Sequence, residues 1–150
     1  MTAPKLKIKR LERNGEKPPM PFYATEGAAG LDLTYFGEDE KTIIPGDLEK
    51  LNTGICVEIP KGYVGLIYIR SSLGAKHGIT LANSVGVIDC DYRGELMVFV
   101  TNTSSMKYTV RPGDRFAQLV ITKYEQFPIE ECEELSTTDR GSGGFGSTNK

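Results

Sequence analysis

KLNTGICVEI, residues 50–59, is the stretch that decides the fold class. Leu51, Thr53, Ile55, Val57 and Ile59 fall on one face of an extended chain, with the intervening positions on the other. A period of two is that of a half-buried strand, since successive side chains point to opposite faces of a sheet. The same texture recurs along the chain. KLKIKRL near the start, YVGLIYIR at 63–70, ELMVFVTNT at 95–103 and FAQLVITKY at 116–124 are β-branched or aromatic runs of strand length. IIPGD (43–47) and VRPGD (110–114) predict type II turns, with Pro at i+1 and Gly supplying positive φ at i+2, and IPKGY (59–63) is another tight connection. No long 3.6-residue stripe is present. The one helical turn expected is SSLGAKHG (71–78), opened by a capping Ser and closed by Gly78. Many short strands at regular spacing predict an all-β protein, a sandwich, jelly roll or barrel. The two xxPGD turns hint at a duplication.

Composition sets the outer bounds. At 150 residues, 39% hydrophobic and 25% charged, the chain suits one globular domain with a real core. A net charge of −2 offers no basic field for nucleic-acid binding. MTAPKLKIKR at the start lacks a signal peptide's apolar segment, and no run reaches membrane-spanning length, so no membrane partner is expected. Cys56, Cys90 and Cys132 are odd in number and too scattered for a zinc site, and they read as reduced thiols in a cytoplasmic setting. His77 is the only histidine, which excludes a multi-histidine metal centre.

From EQFPIEECEEL (125–135) onward the pattern is acidic, then polar and glycine-rich, and it reads as an arm. Gly141, Gly143 and Gly146 formally satisfy GxGxxG, but only four residues follow, so no dinucleotide fold is possible there. Ser147 stands where a Walker A motif requires lysine. RGSGGFGSTNK (140–150) therefore reads either as a disordered terminus or as a nucleotide-binding strip. On the second reading its glycines let backbone N–H groups close on phosphates, Arg140 offers a bidentate fork and Phe145 a stacking plane.

Other clusters carry weaker signals. In GVIDCDYRGE (86–95), Asp91, Arg93 and Glu95 read as a charged hairpin tip. Asp89 ends an apolar segment, where partial desolvation would suit a general base. Arg70, Ser71 and Ser72 lie where a strand gives way to a helical turn, as an anion site or as simple capping. Asp32 lies between Leu31 and Leu33, and alternation leaves it free to face solvent. Gln118, in an apolar strand, would need partners if buried.

Together, AAGLDL, RSSLGAKHG, GVIDCDYRGE, RPGDRFAQLVI and RGSGGFGST resemble, in order, the five motifs of the homotrimeric dUTP pyrophosphatases (dUTPases). The resemblance implies an all-β, jelly-roll-like β-barrel with residues 1–135 as catalytic domain and 136–150 as an arm closing over a neighbouring active site. It implies a homotrimer whose three sites are each assembled from three subunits, and Mg²⁺-dependent cleavage of dUTP to dUMP and pyrophosphate. Such a reaction keeps uracil out of DNA and supplies dUMP for dTMP synthesis, in the cytoplasm, or the host cytoplasm for a viral or phage protein.

By the same resemblance, Asp89 orients the attacking water and Asp32 holds triphosphate-bound Mg²⁺ through water. Arg70, Ser71, Ser72 and Gln118 contact phosphates. Tyr92 packs under deoxyribose and leaves no room for a 2′-hydroxyl. The hairpin ITLANSVGVID, with Asn83, Gly86, Val87 and Ile88, reads the uracil edge largely through backbone groups, and Met97 lines that pocket. Arg140 clamps the γ-phosphate, Gly144 and Gly146 help wrap the chain, and Phe145 stacks on uracil. Cys90 departs from the small residue usual after the catalytic aspartate, and FGEDEK (36–41) matches no family role. A dCTP deaminase shares the fold, but it needs a catalytic glutamate in the pocket and does not need an RGSGGFG tail. A binding or regulatory protein on the same scaffold would show a degenerate motif, and none is degenerate here.

Overall fold

The computed structural model describes residues 4–145. Its strands are β1 (Lys7–Arg10), β2 (Phe22–Tyr23), β3 (Gly30–Thr34), β4 (Lys41–Ile43), β5 (Leu48–Glu58), β6 (Tyr63–Ile69), β7 (Ile79–Leu81), β8 (Gly86–Ile88), β9 (Glu95–Asn102), β10 (Tyr108–Val110) and β11 (Arg115–Lys123), with the helix α1 (Ser71–His77) between β6 and β7. All pairings are antiparallel. They build a four-stranded sheet, β1-β5-β9-β7, a five-stranded sheet, β2-β3-β11-β6-β8, and a β10-β4 ribbon. This is a β jelly roll, as the sequence predicts. Among the described residues no helix is long and apolar enough to cross a membrane.

The alternation read in residues 50–59 is the packing that holds the sheets together. Leu51, Thr53, Ile55, Val57 and Ile59 are all buried. Leu96, Val98 and Val100 of β9 join them, and Leu33, Ile67, Phe116 and Leu119 face them from the five-stranded sheet. Each of the aliphatic and aromatic side chains among them contributes about 1.5–3 kcal/mol by leaving water. The Pro-Gly turns take the predicted form. Gly46 and Gly113 sit at φ 82 and 88, and the amides of Asp47 and Asp114 close back on the carbonyls of Ile44 and Arg111. These turns lead from the two ribbon strands into β5 and β11, one strand of each large sheet.

One local expectation is corrected. Ser71 does not cap α1 but is its first residue, and Arg70 is the N-cap, with extended dihedrals and no capping bond from its side chain. The cause is β6, which carries the chain extended through Ile69, so the first carbonyl free to accept from the helix belongs to Arg70. It receives the amides of Leu73 and Gly74. Gly78 closes the helix at φ 64, as expected.

Candidate active site

β7 pairs only with β9 and β8 only with β6, so the hairpin between them steps from one sheet to the other. Its turn is tight: Ser84 donates to the Leu81 carbonyl and Val85 to that of Asn83, with Ser84 at φ 64. The step opens a cleft of about 380 Å³ against the outer face of β9. Asn83, Gly86, Val87, Ile88 and Met97, all expected in a base pocket, line it. Phe99 and Leu48 complete apolar walls that are open to solvent on the single chain. Gly86 allows β8 to lie close against Ile67, whose Cβ is 3.1 Å from where a Cβ on Gly86 would sit. As the edge strand of its sheet, β8 turns one row of backbone donors and acceptors outward. A planar base with polar edges suits such a wall.

Beyond β8 the chain turns at residues 89–94. The amide of Tyr92 donates to the Asp89 carbonyl at 3.1 Å, and the Arg93 guanidinium donates to the carbonyls of Cys90 and Tyr92. Tyr92 folds its ring over Gly94, where any Cβ would collide with it, and its hydroxyl donates to the Glu95 carbonyl at 2.9 Å. A second cleft of about 200 Å³ holds Asp89 and Tyr92 and shares Val87, Ile88, Met97 and Phe99 with the first. The hairpin cleft, Tyr92 and Asp89 thus form one continuous surface.

Two expectations about this loop are corrected. Asp89 is exposed, not partly desolvated, because the loop projects beyond the last paired residue of β8. Glu95 is no solvated tip. Its side chain is only 12% exposed, with one carboxylate oxygen accepting from Arg13 at 2.5 Å and the other from the Gly54 amide at 2.7 Å.

The phosphate-contacting candidates cluster elsewhere. Phe22, Asp32, Gln118 and Tyr68 form one row across four neighbouring strands, and Arg70 follows directly on β6. Asp32 is buried, which settles the alternative left open by alternation. Arg115 Nη1 donates to its Oδ2 at 2.8 Å, and Arg70 Nε lies 4.0 Å from Oδ1. The acid therefore holds two guanidiniums on the outer face of the sheet, beside the exposed Ser71 and half-buried Ser72 that open α1. Gln118 is half-buried over Gly30: its Oε1 lies 2.6 Å from where a Cβ on Gly30 would be, so any side chain there would push the amide out of this position. Arg115 was missed by sequence reasoning. Its signal, an arginine just after the RPGD turn, acquires meaning only once β11 is known to pair with β3.

The arm stands apart. Arg140 Nε donates to the Gly143 carbonyl, the Gly143 amide to that of Arg140, and the Gly141 amide to Thr138. Phe145 exposes its whole ring, and Gly144 is half-buried. Gly146 lies outside the described residues. The clefts that hold Asp89 and Tyr92 contain none of Asp32, Arg70, Gln118 or Arg140. One chain thus presents three separate groups.

The thiols are free. Burial pushes the Cys56 thiol up, with Lys9 opposing. Tyr124 is also raised, first by desolvation and then by Cys90, with which it lines one cleft.

Comparison with known proteins agrees with this geometry. The dUTPase family model matches residues 16–149. A deoxyuridine 5′-triphosphate nucleotidohydrolase of Alcanivorax borkumensis is 48% identical over 139 residues, covering 92% of this chain and 93% of its own. The structure of a Staphylococcus bacteriophage 80alpha dUTPase with dUPNHPP superposes with a TM-score of 0.85 at 26% identity, covering 99% of this chain and all of its own. A dUTPase from phage phi11, in a structure concerned with the coordination of a structural Mg(II) ion, shares the fold at a TM-score of 0.76 and 24% identity, covering 87% of this chain and 98% of its own. The matched range takes in the residues of both clefts, the arginine–acid cluster and nearly all of the arm, and the chain belongs to the dUTPase family.

Proposed function

We propose that this chain hydrolyses dUTP to dUMP and pyrophosphate, in sites that three copies build together. The observation that carries the substrate assignment is the continuous cleft from the β7–β8 hairpin to Asp89, apolar-walled and edged by the outward backbone of β8. Uracil fits between Val87 and Met97, its polar edge against β8 and the hairpin around Asn83, Gly86 and Ile88. Deoxyribose then lies on Tyr92, where a 2′-hydroxyl would meet the ring. The exposed Asp89 carboxylate faces the reacting phosphate and accepts the proton of a water. The water oxygen bonds to the α-phosphorus, the bond from that phosphorus to the bridging oxygen breaks, and pyrophosphate leaves.

Phosphate binding falls to Arg70, Ser71, Ser72 and Gln118 of a second copy, with Asp32 keeping the guanidiniums aligned. Arg140, Gly144 and Phe145 of a third close the site, with Gly146 continuing the same strip. The three groups that do not meet within one chain support this division. Among the described residues no cluster of three or more His, Cys, Asp or Glu is placed to hold a metal. Mg²⁺ needs no all-protein cage, because it keeps several waters and leans on substrate phosphates. A carboxylate offers about four lone-pair sites, so Asp32 retains acceptors for metal-bound water besides its arginines. When bound, Mg²⁺ would neutralise charge on the phosphate oxygens. A reducing, cytoplasmic location, with dUMP passed on to dTMP synthesis and uracil kept from DNA, completes the proposal, and the free thiols support it.

Hydrolysis in ¹⁸O-water tests the chemistry. The label is expected in dUMP, because the bond forms at the α-phosphorus. Label in the released pyrophosphate would place the attack at the β-phosphorus and overturn the role given to Asp89.

A further inference from the structure

We infer that the Arg13–Glu95 ion pair is a positioning clamp for Tyr92, so that an N-terminal hairpin sets how strictly the site rejects a ribose. The inference rests on the sugar-side role of Tyr92 proposed above.

The clamp begins in RNGE, residues 13–16. Asn14 and Gly15 take φ values of 52 and 79, and Arg13 and Glu16 exchange both backbone hydrogen bonds, at 2.8 and 2.9 Å. Positive φ at both central residues is the geometry of the two-residue hairpin that Asn-Gly favours. The turn fixes the direction in which Arg13 leaves the backbone. Its Nη1 donates to the Phe36 carbonyl at 2.8 Å, its guanidinium lies 5.3 Å from the centre of the Phe36 ring, and its Nη2 reaches Glu95. A planar fork held on these sides has little freedom, which a flexible ammonium would keep.

Glu95 stands at a break in the sheet. The β5–β9 register shifts between Asn52 and Cys56, and Gly54 within the break has φ +67. A Cβ on Gly54 would strike Phe36 and Pro18, so the backbone there is glycine-specific. Its amide is bound by the Glu95 carboxylate, and its carbonyl accepts from the Leu11 amide at 2.7 Å. The side chain of Glu95 thereby ties three segments together: the N-terminal hairpin, the irregular middle of β5 and the first residue of β9.

The main chain of the same residue holds the tyrosine. The Glu95 carbonyl accepts from the Tyr92 hydroxyl, and Tyr92 is otherwise 39% exposed. Where the Glu95 backbone stands therefore decides where the ring stands. Steric rejection of a 2′-hydroxyl needs a ring that does not yield. Loosening the clamp lets the ring give way and admits the larger sugar.

Steady-state kinetics on the full chain with Mg²⁺ tests this, reading the ratio of kcat/KM for dUTP to that for UTP. Arg13→Met and Tyr92→Phe are each expected to lower the ratio about tenfold, the scale of one lost hydrogen bond. Because both act through the same linkage, the double variant should fall little further. Arg13→Lys, which keeps the charge without the fork, should restore part of the ratio. An unchanged ratio in Tyr92→Phe overturns the clamp even where Arg13→Met fails to fold. So does an Arg13→Met variant that loses thermal stability but keeps the ratio. Tyr92→Ala separates the two levels. If it retains the wild-type ratio, Tyr92 is not the sugar gate and the reading beneath the clamp fails. If it loses the ratio while the other variants keep it, the clamp alone fails.

Discussion

Asp89→Asn is expected to fold and bind dUTP like the wild type while turning it over ~10²–10⁴-fold more slowly, the usual loss when a general base is removed. The exchange is nearly isosteric, and no hydrogen bond or ion pair among the described residues uses the Asp89 carboxylate. The local fold depends on its carbonyl, which accepts from Tyr92, and that is unchanged. What disappears is a site able to take the proton of the attacking water, since an amide oxygen is far too weak a base. Rates come from pyrophosphate release at saturating dUTP, and affinity from calorimetry with a non-hydrolysable analogue. A variant that keeps more than about a tenth of the wild-type rate removes Asp89 from that role.

The second large effect concerns the arm. Deleting residues 140–150 should abolish most activity yet leave the melting temperature almost unchanged. Among the described residues the buried hydrophobic side chains all lie between Leu31 and Leu119, so the described part of the arm adds nothing to the core. Its value is in the closed site, where base–aromatic stacking alone is worth ~1–3 kcal/mol. Shared assembly gives this a sharper form. Asp89→Asn supplies intact arms, and the deletion variant supplies intact carboxylates. Neither alone should work. Co-expressed at equal levels and assembled at random into closed trimers, they should leave roughly a quarter of sites with both parts, one half for each. If carboxylate and arm came from one chain, every mixed site would lack one of them and no activity would return.

How far the fold was legible depended on strand length. Residues 50–59 and 95–103 declare themselves because alternate side chains enter one core, as Leu51, Ile55, Leu96 and Val98 do. β2, β4, β7, β8 and β10 have only two or three residues each, too few for a period, and exist through their partners. The site follows the same logic. Asp89, Tyr92 and the hairpin before them are contiguous, so their motif could be read directly. The pairing of Asp32 with Arg115 spans 83 positions, and that of Arg13 with Glu95 spans 82. Such contacts arise from register and from the break in β5, which no local pattern announces. Glu95 misled for a related reason. In a charged run it looks solvated, and only its distant partners, the Arg13 guanidinium and the Gly54 amide, explain its burial.

The most direct test is pyrophosphate release from dUTP, dCTP, dTTP and UTP in parallel, each with Mg²⁺. The account predicts a strong preference for dUTP. UTP fails against the Tyr92 ring and dTTP against the walls of the base cleft. With dCTP a backbone group at the pocket edge is left unpaired, a mismatch that can cost ~10⁴-fold. Turnover of dCTP or UTP at a rate comparable to that of dUTP would contradict it.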